Sequence, residues 1–127
     1  MARFLGPLAL ILVIAMGGCS GTSPDEGSAD FVIAVGAETF VVRSTHAETI
    51  VQMREALAGR RTGFPAGPLR TGNGGFNAPW SWHLDPAETR MVEAAIEICD
   101  GTPSYVEQHQ AEFPHYCPWG ARVVAER

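Results

Sequence analysis

The chain has 127 residues and a net charge of −5, and all nine of its basic residues are arginine, set against fourteen acidic ones. That length leaves room for one domain and little else. An acidic chain with no cluster of cations is excluded as a nucleic-acid binder or a ligand of anionic lipid surfaces.

The first eighteen residues, MARFLGPLALILVIAMGG, carry one early cation, Arg3, and then an apolar run over residues 8–16. The run is shorter than the ~20 residues that a bilayer-crossing helix needs. It has the length of the apolar core of a signal peptide; the alternative is a short anchor that is kept. Met16-Gly17-Gly18-Cys19-Ser20-Gly21 resembles a bacterial lipobox, in which small residues precede a cysteine whose thiol carries diacylglycerol, although Met16 stands where leucine is usual. Three cysteines are an odd count, and an unpaired exported thiol needs explaining. Lipid on Cys19 removes the oddity and leaves Cys99 and Cys117 as a disulfide pair; cleavage without lipid would leave Cys19 free. The expected layout is a lipoprotein-type signal peptide at 1–18, a small, polar, acidic tether at 19–29, and one folded domain at 30–127. Without Arg3, eight arginines face fourteen acids, a mature charge of −6. The expected location is the cell envelope, lipid-anchored, facing the periplasm or the cell exterior.

In the domain, Phe31-Val32-Ile33-Ala34-Val35 and Thr39-Phe40-Val41-Val42-Arg43, joined through a short glycine-containing link, predict a β-hairpin. Thr45-His46-Ala47-Glu48 reads as a capping box, opening a helix over 46–58 with Gly59 as terminator; His46 in its first turn reads as an exposed polar residue. Residues 60–79 are dense in Gly and Pro and predict a long loop, with at most a short edge strand at 68–71. Trp80, Trp82 and Leu84 alternate with Ser81 and His83, which suits a strand. Asp85-Pro86-Ala87-Glu88 reads as a turn or a short helical start. Residues 90–100 fit helix and strand alike, with a strand over 94–99 preferred. Thr102-Pro103 opens a second helix running to about 112, Cys117-Pro118-Trp119-Gly120 is a turn, and residues 121–125 form a closing strand. The sum is an α+β domain: a small, mostly antiparallel sheet of four to six strands, two helices and one disulfide. Phe40, Trp80, Trp82, Ile96 and Trp119 are the expected core. A domain near 100 residues has a marginal core, and a staple is expected.

Pro79-Trp80-Ser81-Trp82-His83-Leu84-Asp85-Pro86, Ala95-Ile96-Glu97-Ile98-Cys99-Asp100-Gly101, Tyr105-Val106-Glu107 and Cys117-Pro118-Trp119-Gly120 together resemble the N-terminal domain of the seventy-four-kilodalton calmodulin-binding protein of slime moulds, a domain that many bacterial secreted proteins share. The resemblance covers nearly all of residues 30–124. It implies a shared fold and supports the cysteine pair, and it brings no catalytic residues with it. Calmodulin targets are basic amphipathic helices, whereas the two helices here hold Glu48, Glu55, Glu107 and Glu112, so calmodulin is not an expected partner.

Four chemistries are conceivable for these residues. A thiol nucleophile would need Cys99 or Cys117 beside His83, His109 or His115, but outside the cytoplasm a disulfide is the better use of those thiols. A metal could draw on His109, His115 and Cys117, or on the oxygens of Asn73, Asp85 and Asp100, though no ligand motif is present and no cofactor or metal is expected. His83 beside Trp80 and Trp82 suggests an aromatic binding surface, against the alternative that both indoles fill the core. The 60–79 loop could present Leu69 and Arg70 to a protease, or be a structural connection. The preferred reading is a non-enzymatic binding module that engages an envelope or extracellular protein or glycan through residues 72–82. Its candidate contacts are Leu69, Arg70, Asn73, Phe76, Trp80, Trp82 and His83. A protease inhibitor and a small hydrolase are the alternatives.

Overall fold

Period-two alternation shapes the first two elements. The computed structural model describes residues 27–95 and 98–127; the leader, Cys19, most of the tether and Ile96 lie outside the described residues. Strand β1 (Ala29–Val35) reverses through Gly36 and Ala37 into β2 (Glu38–Ser44), and the two pair antiparallel from Ala29↔Ser44 to Val35↔Glu38. Gly36 takes the left-handed φ of 61° that so short a reversal needs. Along β1, Ala29, Phe31, Ile33 and Val35 are buried and the residues between them half-buried, as expected for a strand with one face on the core. The expected hairpin is present, and its first strand starts inside the stretch read as tether.

Helix α1 (Ala47–Leu57) buries Thr49, Ile50 and Met53. Its cap is His46 and not Thr45. The Thr49 N–H donates to His46 Nδ1 at 3.3 Å, and that nitrogen lies 3.0 Å from Thr49 Oγ1. Thr45 is unavailable because its N–H and hydroxyl both donate to the Pro86 carbonyl, at 3.0 and 3.3 Å. Glu48 accepts from Gln52 instead of closing a capping box. His46 therefore has a structural role as a cap. The helix stops at Gly59 as expected: the Gly59 N–H donates to the Ala56 carbonyl and the Arg60 N–H to that of Glu55, a Schellman ending.

Residues 60–79 depart most from expectation. Phe64–Thr71 is an eight-residue strand, β3, and it is the hub of a second sheet. It pairs antiparallel with β4 (Trp82–Leu84) over residues 69–71, with β5 (Arg90–Val92) over residues 64–66, and with β6 (His115–Tyr116) at Gly67 and Pro68. Proline removes a ladder donor. Here each partner is so short that the loss at Pro65 or Pro68 stays local, and the Pro68 carbonyl still accepts from Asp85 N–H at 2.9 Å. Gly67, which reads as a turn signal, marks a close approach: a Cβ there would lie 2.6 Å from Thr89 Oγ1 and 2.9 Å from Thr89 Cα.

The strand expected over 94–99 is also displaced. β5 occupies Arg90–Val92, and Ala94, Ala95, Ile98 and Cys99 lie outside regular structure. Helix α2 (Pro103–Gln108) is capped by the Thr102 hydroxyl, which accepts from Tyr105 N–H at 3.2 Å. It is shorter than expected, because the chain breaks at His109 before a 3-10 turn, Gln110–Glu112. Strand β7 (Arg122–Glu126) returns to β1, so the first sheet runs β2-β1-β7, and the Arg127 N–H donates to the Asp30 carbonyl at 2.9 Å.

The α+β class, the antiparallel pairing, the two α-helices and the Cys99–Cys117 disulfide are as expected; the strands number seven among the described residues and form two sheets. One core joins both sheets. At its centre Phe40, Trp82 and Tyr116 meet with ring centroids 5.4–5.5 Å apart. Phe40 and Trp82 are core residues as expected, and Trp80 is half-buried against them. Trp119 is not core. It projects from the turn that leads into β7 and is 50% exposed, while Tyr116, Cys117 and Ala121 around it fill the interior.

Candidate functional site

The residues expected to form a binding stretch are drawn together by one buried amide. Asn77 accepts from Val41 N–H through Oδ1 at 2.7 Å and donates through Nδ2 to the Trp82 carbonyl at 2.8 Å. It thereby fastens the segment after β3 to β2 and β4. Trp80 Nε1 donates to the Thr39 carbonyl at 2.9 Å. His83 Nδ1 lies 2.7 Å from the Gly72 carbonyl, and its ring meets Phe76 edge-on at 5.4 Å. The Arg43 guanidinium sits 4.8 Å above the Phe76 ring, within cation–π range. Asn73 turns the chain, accepting from Gly75 N–H at 2.7 Å.

These contacts stiffen the segment and use up much of what it could offer a ligand. Trp82 is fully buried, so it contributes nothing to a surface, and Trp80 and His83 are half-buried. Leu69 packs against the core from β3. Arg70 is in the same strand, 3.0 Å from Asp85 and 3.4 Å from Glu88. A protruding inhibitor loop around Leu69 and Arg70 therefore loses its geometric basis.

Asp85 anchors the turn after β4. Desolvation disfavours its charge, but the Ala87 N–H, the Arg70 guanidinium and the Glu88 N–H together outweigh that and hold its carboxyl below the usual carboxylate range. An aspartate that ionises at lower pH in the fold than in the unfolded chain lets the unfolded chain take up the proton first. The stability it contributes is present above the unfolded value of ~3.9 and is lost as pH falls through the folded value. Urea unfolding over a pH series should show a flatter acid limb for Asp85→Asn than for the parent; superimposable limbs would refute this role.

The remaining candidate chemistries do not assemble. Cys99 and Cys117 are joined, with Cα atoms 5.1 Å apart, so neither is a thiol nucleophile. His109 stacks on Tyr105 with its Nδ1 2.8 Å from the Tyr105 carbonyl, and His115 is exposed on β6. Asp100 Oδ1 accepts from the N–H groups of Gly101 and Trp119, at 2.9 and 3.0 Å. Among the described residues no three His, Cys, Asp or Glu side chains gather as a ligand set. Tyr116 donates to the Gly101 carbonyl at 2.5 Å. Burial pushes its hydroxyl well up, with Asp100 and Glu38 adding to the effect, so it stays a neutral donor.

A groove that the sequence did not disclose lies at the other end of the domain. The end of α1, the link into β3 and the turn before β7 enclose about 610 Å³, with Leu57, Arg61, Phe64, Glu93, Trp119 and Arg122 among its lining. Trp119 stacks on Phe64, centroids 6.4 Å apart and planes 28° apart. Its backbone is clamped twice, by the Asp100 carboxylate and by the disulfide, across which Cys117 N–H donates to the Cys99 carbonyl at 2.8 Å. The signal was present in the sequence: Trp119 stands between Pro118 and Gly120, at a chain reversal that a core cannot enclose.

Over residues 27–127 the chain matches the family model of the N-terminal domain of the seventy-four-kilodalton binding protein. The chain belongs to this family. No curated protein and no solved structure matches it. The resemblance read from the tryptophan block and the Cys-Pro-Trp-Gly block is thus borne out. In this member of the family the matched region takes in every described strand and helix, the disulfide and the Trp119 turn.

Proposed function

We propose that this family member is a non-enzymatic binding module, held at the cell envelope by lipid on Cys19, that takes an envelope or extracellular protein or glycan in the groove beside Trp119. The observation that carries the reading is the half-open indole of Trp119, stacked on Phe64 in a groove rimmed by the exposed Leu57. Leaving apolar area in water forgoes ~25 cal/mol per Å². A tryptophan held rigidly at the surface of a concave site is the kind of residue on which binding energy concentrates. The absence of catalysis is supported by the use of the reactive groups elsewhere: the cysteines are bonded to each other, and the Ser81 hydroxyl is held by Glu107 at 2.5 Å and Gln110 at 2.9 Å.

The test is binding of solubilised envelope proteins and surface polysaccharide fractions to immobilised mature chain. Trp119→Ala should weaken the captured interaction about tenfold or more, a decade being ~1.4 kcal/mol, while far-UV circular dichroism stays unchanged. Equal binding by the variant would sink the groove as the site, and turnover in a hydrolase screen would sink the non-enzymatic reading. Cys19→Ala should move the protein from the membrane to the aqueous fraction of the same cells.

A further inference from the structure

The arginines around the groove narrow the chemistry of its ligand. Four arginines have carboxylate partners: Arg43 with Asp30, Arg54 with Glu126, Arg61 with Glu55, and Arg70 with Asp85 and Glu88. Arg122, by contrast, lines the groove with no ion pair or side-chain hydrogen bond among the described residues. Arg60 is likewise without such a partner among the described residues, and it lies in an adjoining depression of about 410 Å³ that shares Arg61, Thr62 and Glu93 with the groove. In a chain of net charge −5, two unengaged guanidiniums thus converge on the one half-open tryptophan.

Resting on the binding-module reading, we infer that the groove takes an acidic saccharide, a chain of sugars bearing uronic carboxylates. A pyranose ring has a flat face of C–H groups that lies against an indole, and Trp119, backed by Phe64, presents such a platform. The guanidinium fork matches a carboxylate through two parallel hydrogen bonds, which assigns the uronic carboxylate to Arg122 or to Arg60. Sugar hydroxyls are donors as well as acceptors, and Glu93 and Thr62 supply acceptors between the two arginines. An acidic peptide would satisfy the arginines, but it would leave the aromatic platform and the Glu93 carboxylate without complementary groups. A neutral saccharide would leave the guanidiniums unused.

The experiment is calorimetric titration of the full mature chain with tetragalacturonate and tetramannuronate, each against its neutral counterpart, galactotetraose and mannotetraose, and with tetraglutamate. At least one uronide should bind about tenfold or more tighter than its neutral counterpart, and its binding should weaken as salt is raised. Arg122→Gln and Arg60→Gln together should erase that preference. Trp119→Ala should weaken uronide and neutral sugar alike. Equal binding of acidic and neutral tetramers overturns the acidic class while leaving the groove reading intact, provided Trp119→Ala still weakens both. Uronide binding that ignores Trp119→Ala overturns the groove itself. Tetraglutamate binding as tight as the uronide, or no uronide binding at millimolar concentration, overturns the saccharide.

Discussion

Replacing Trp82 by alanine should bring the domain to the edge of unfolding. The side chain is fully buried, and it meets Phe40 of β2, Tyr116 of β6 and Trp80 at 5.4–6.3 Å. It therefore fills the space where the two sheets share their core. Truncating a buried tryptophan to alanine costs ~3–5 kcal/mol, and the whole stability of a domain this size is ~5–15 kcal/mol. The urea midpoint of Trp82→Ala should fall by about a third or more, while Trp119→Ala, at the surface, should leave it nearly in place. Trp82→Phe is the informative companion. Trp82 Nε1 is buried with no hydrogen-bond partner, and such an orphan costs ~1–3 kcal/mol. The phenylalanine variant removes that cost along with part of the ring, so it should lose only ~1–2 kcal/mol, less than the lost volume alone would predict. A midpoint for Trp82→Ala equal to that of the parent would show that the inter-sheet core does not depend on this ring.

Removing the disulfide should have the second largest effect. Cys99 and Cys117 are 18 positions apart, and closing a loop of that length contributes ~3 kcal/mol in the chain-entropy model. In a domain of about 100 residues this corresponds to a fall in Tm on the order of 10–20 °C. The double substitution Cys99→Ser with Cys117→Ser should show it in a thermal melt, and the parent under reductant should match the variant. The crosslink also steadies the turn that carries Trp119, so the loss should include a change in tryptophan emission and weaker capture of the ligand. Two alkylatable thiols in the untreated mature domain would overturn the argument.

The legible parts of this fold were those decided by local pattern. Alternation along residues 29–44 specified the hairpin, Gly59 the end of α1, and Thr102-Pro103 the start of α2, because each signal acts within a few residues of itself. What was not legible depended on distant partners. Pro65, Gly67 and Pro68 argue against a strand in isolation, yet β4, β5 and β6, all far along the chain, make β3 one in short pieces. Thr45 has the chemistry of a cap, but Pro86, 41 residues away, takes its donors and moves the cap to His46. At the site, the sequence correctly singled out tryptophans and misjudged which one is open. Trp82 lies in a strand whose face meets the core, Trp119 in a reversal that leaves it outside, and hydrophobicity alone cannot tell the two apart.

The neighbouring of β1 and β7 has a kinetic consequence. The hairpin β1–β2 closes over two residues and can form on the microsecond scale, but the other edge of β1 must wait for the far end of the chain, a long-range closure of the kind that slows folding. Until then β1 is a bare template for foreign strands. The final segment is thus a stopper as well as a strand: it ends the interval during which a half-made molecule could polymerise with its siblings, and a chain cut short before residue 122 would never leave that interval.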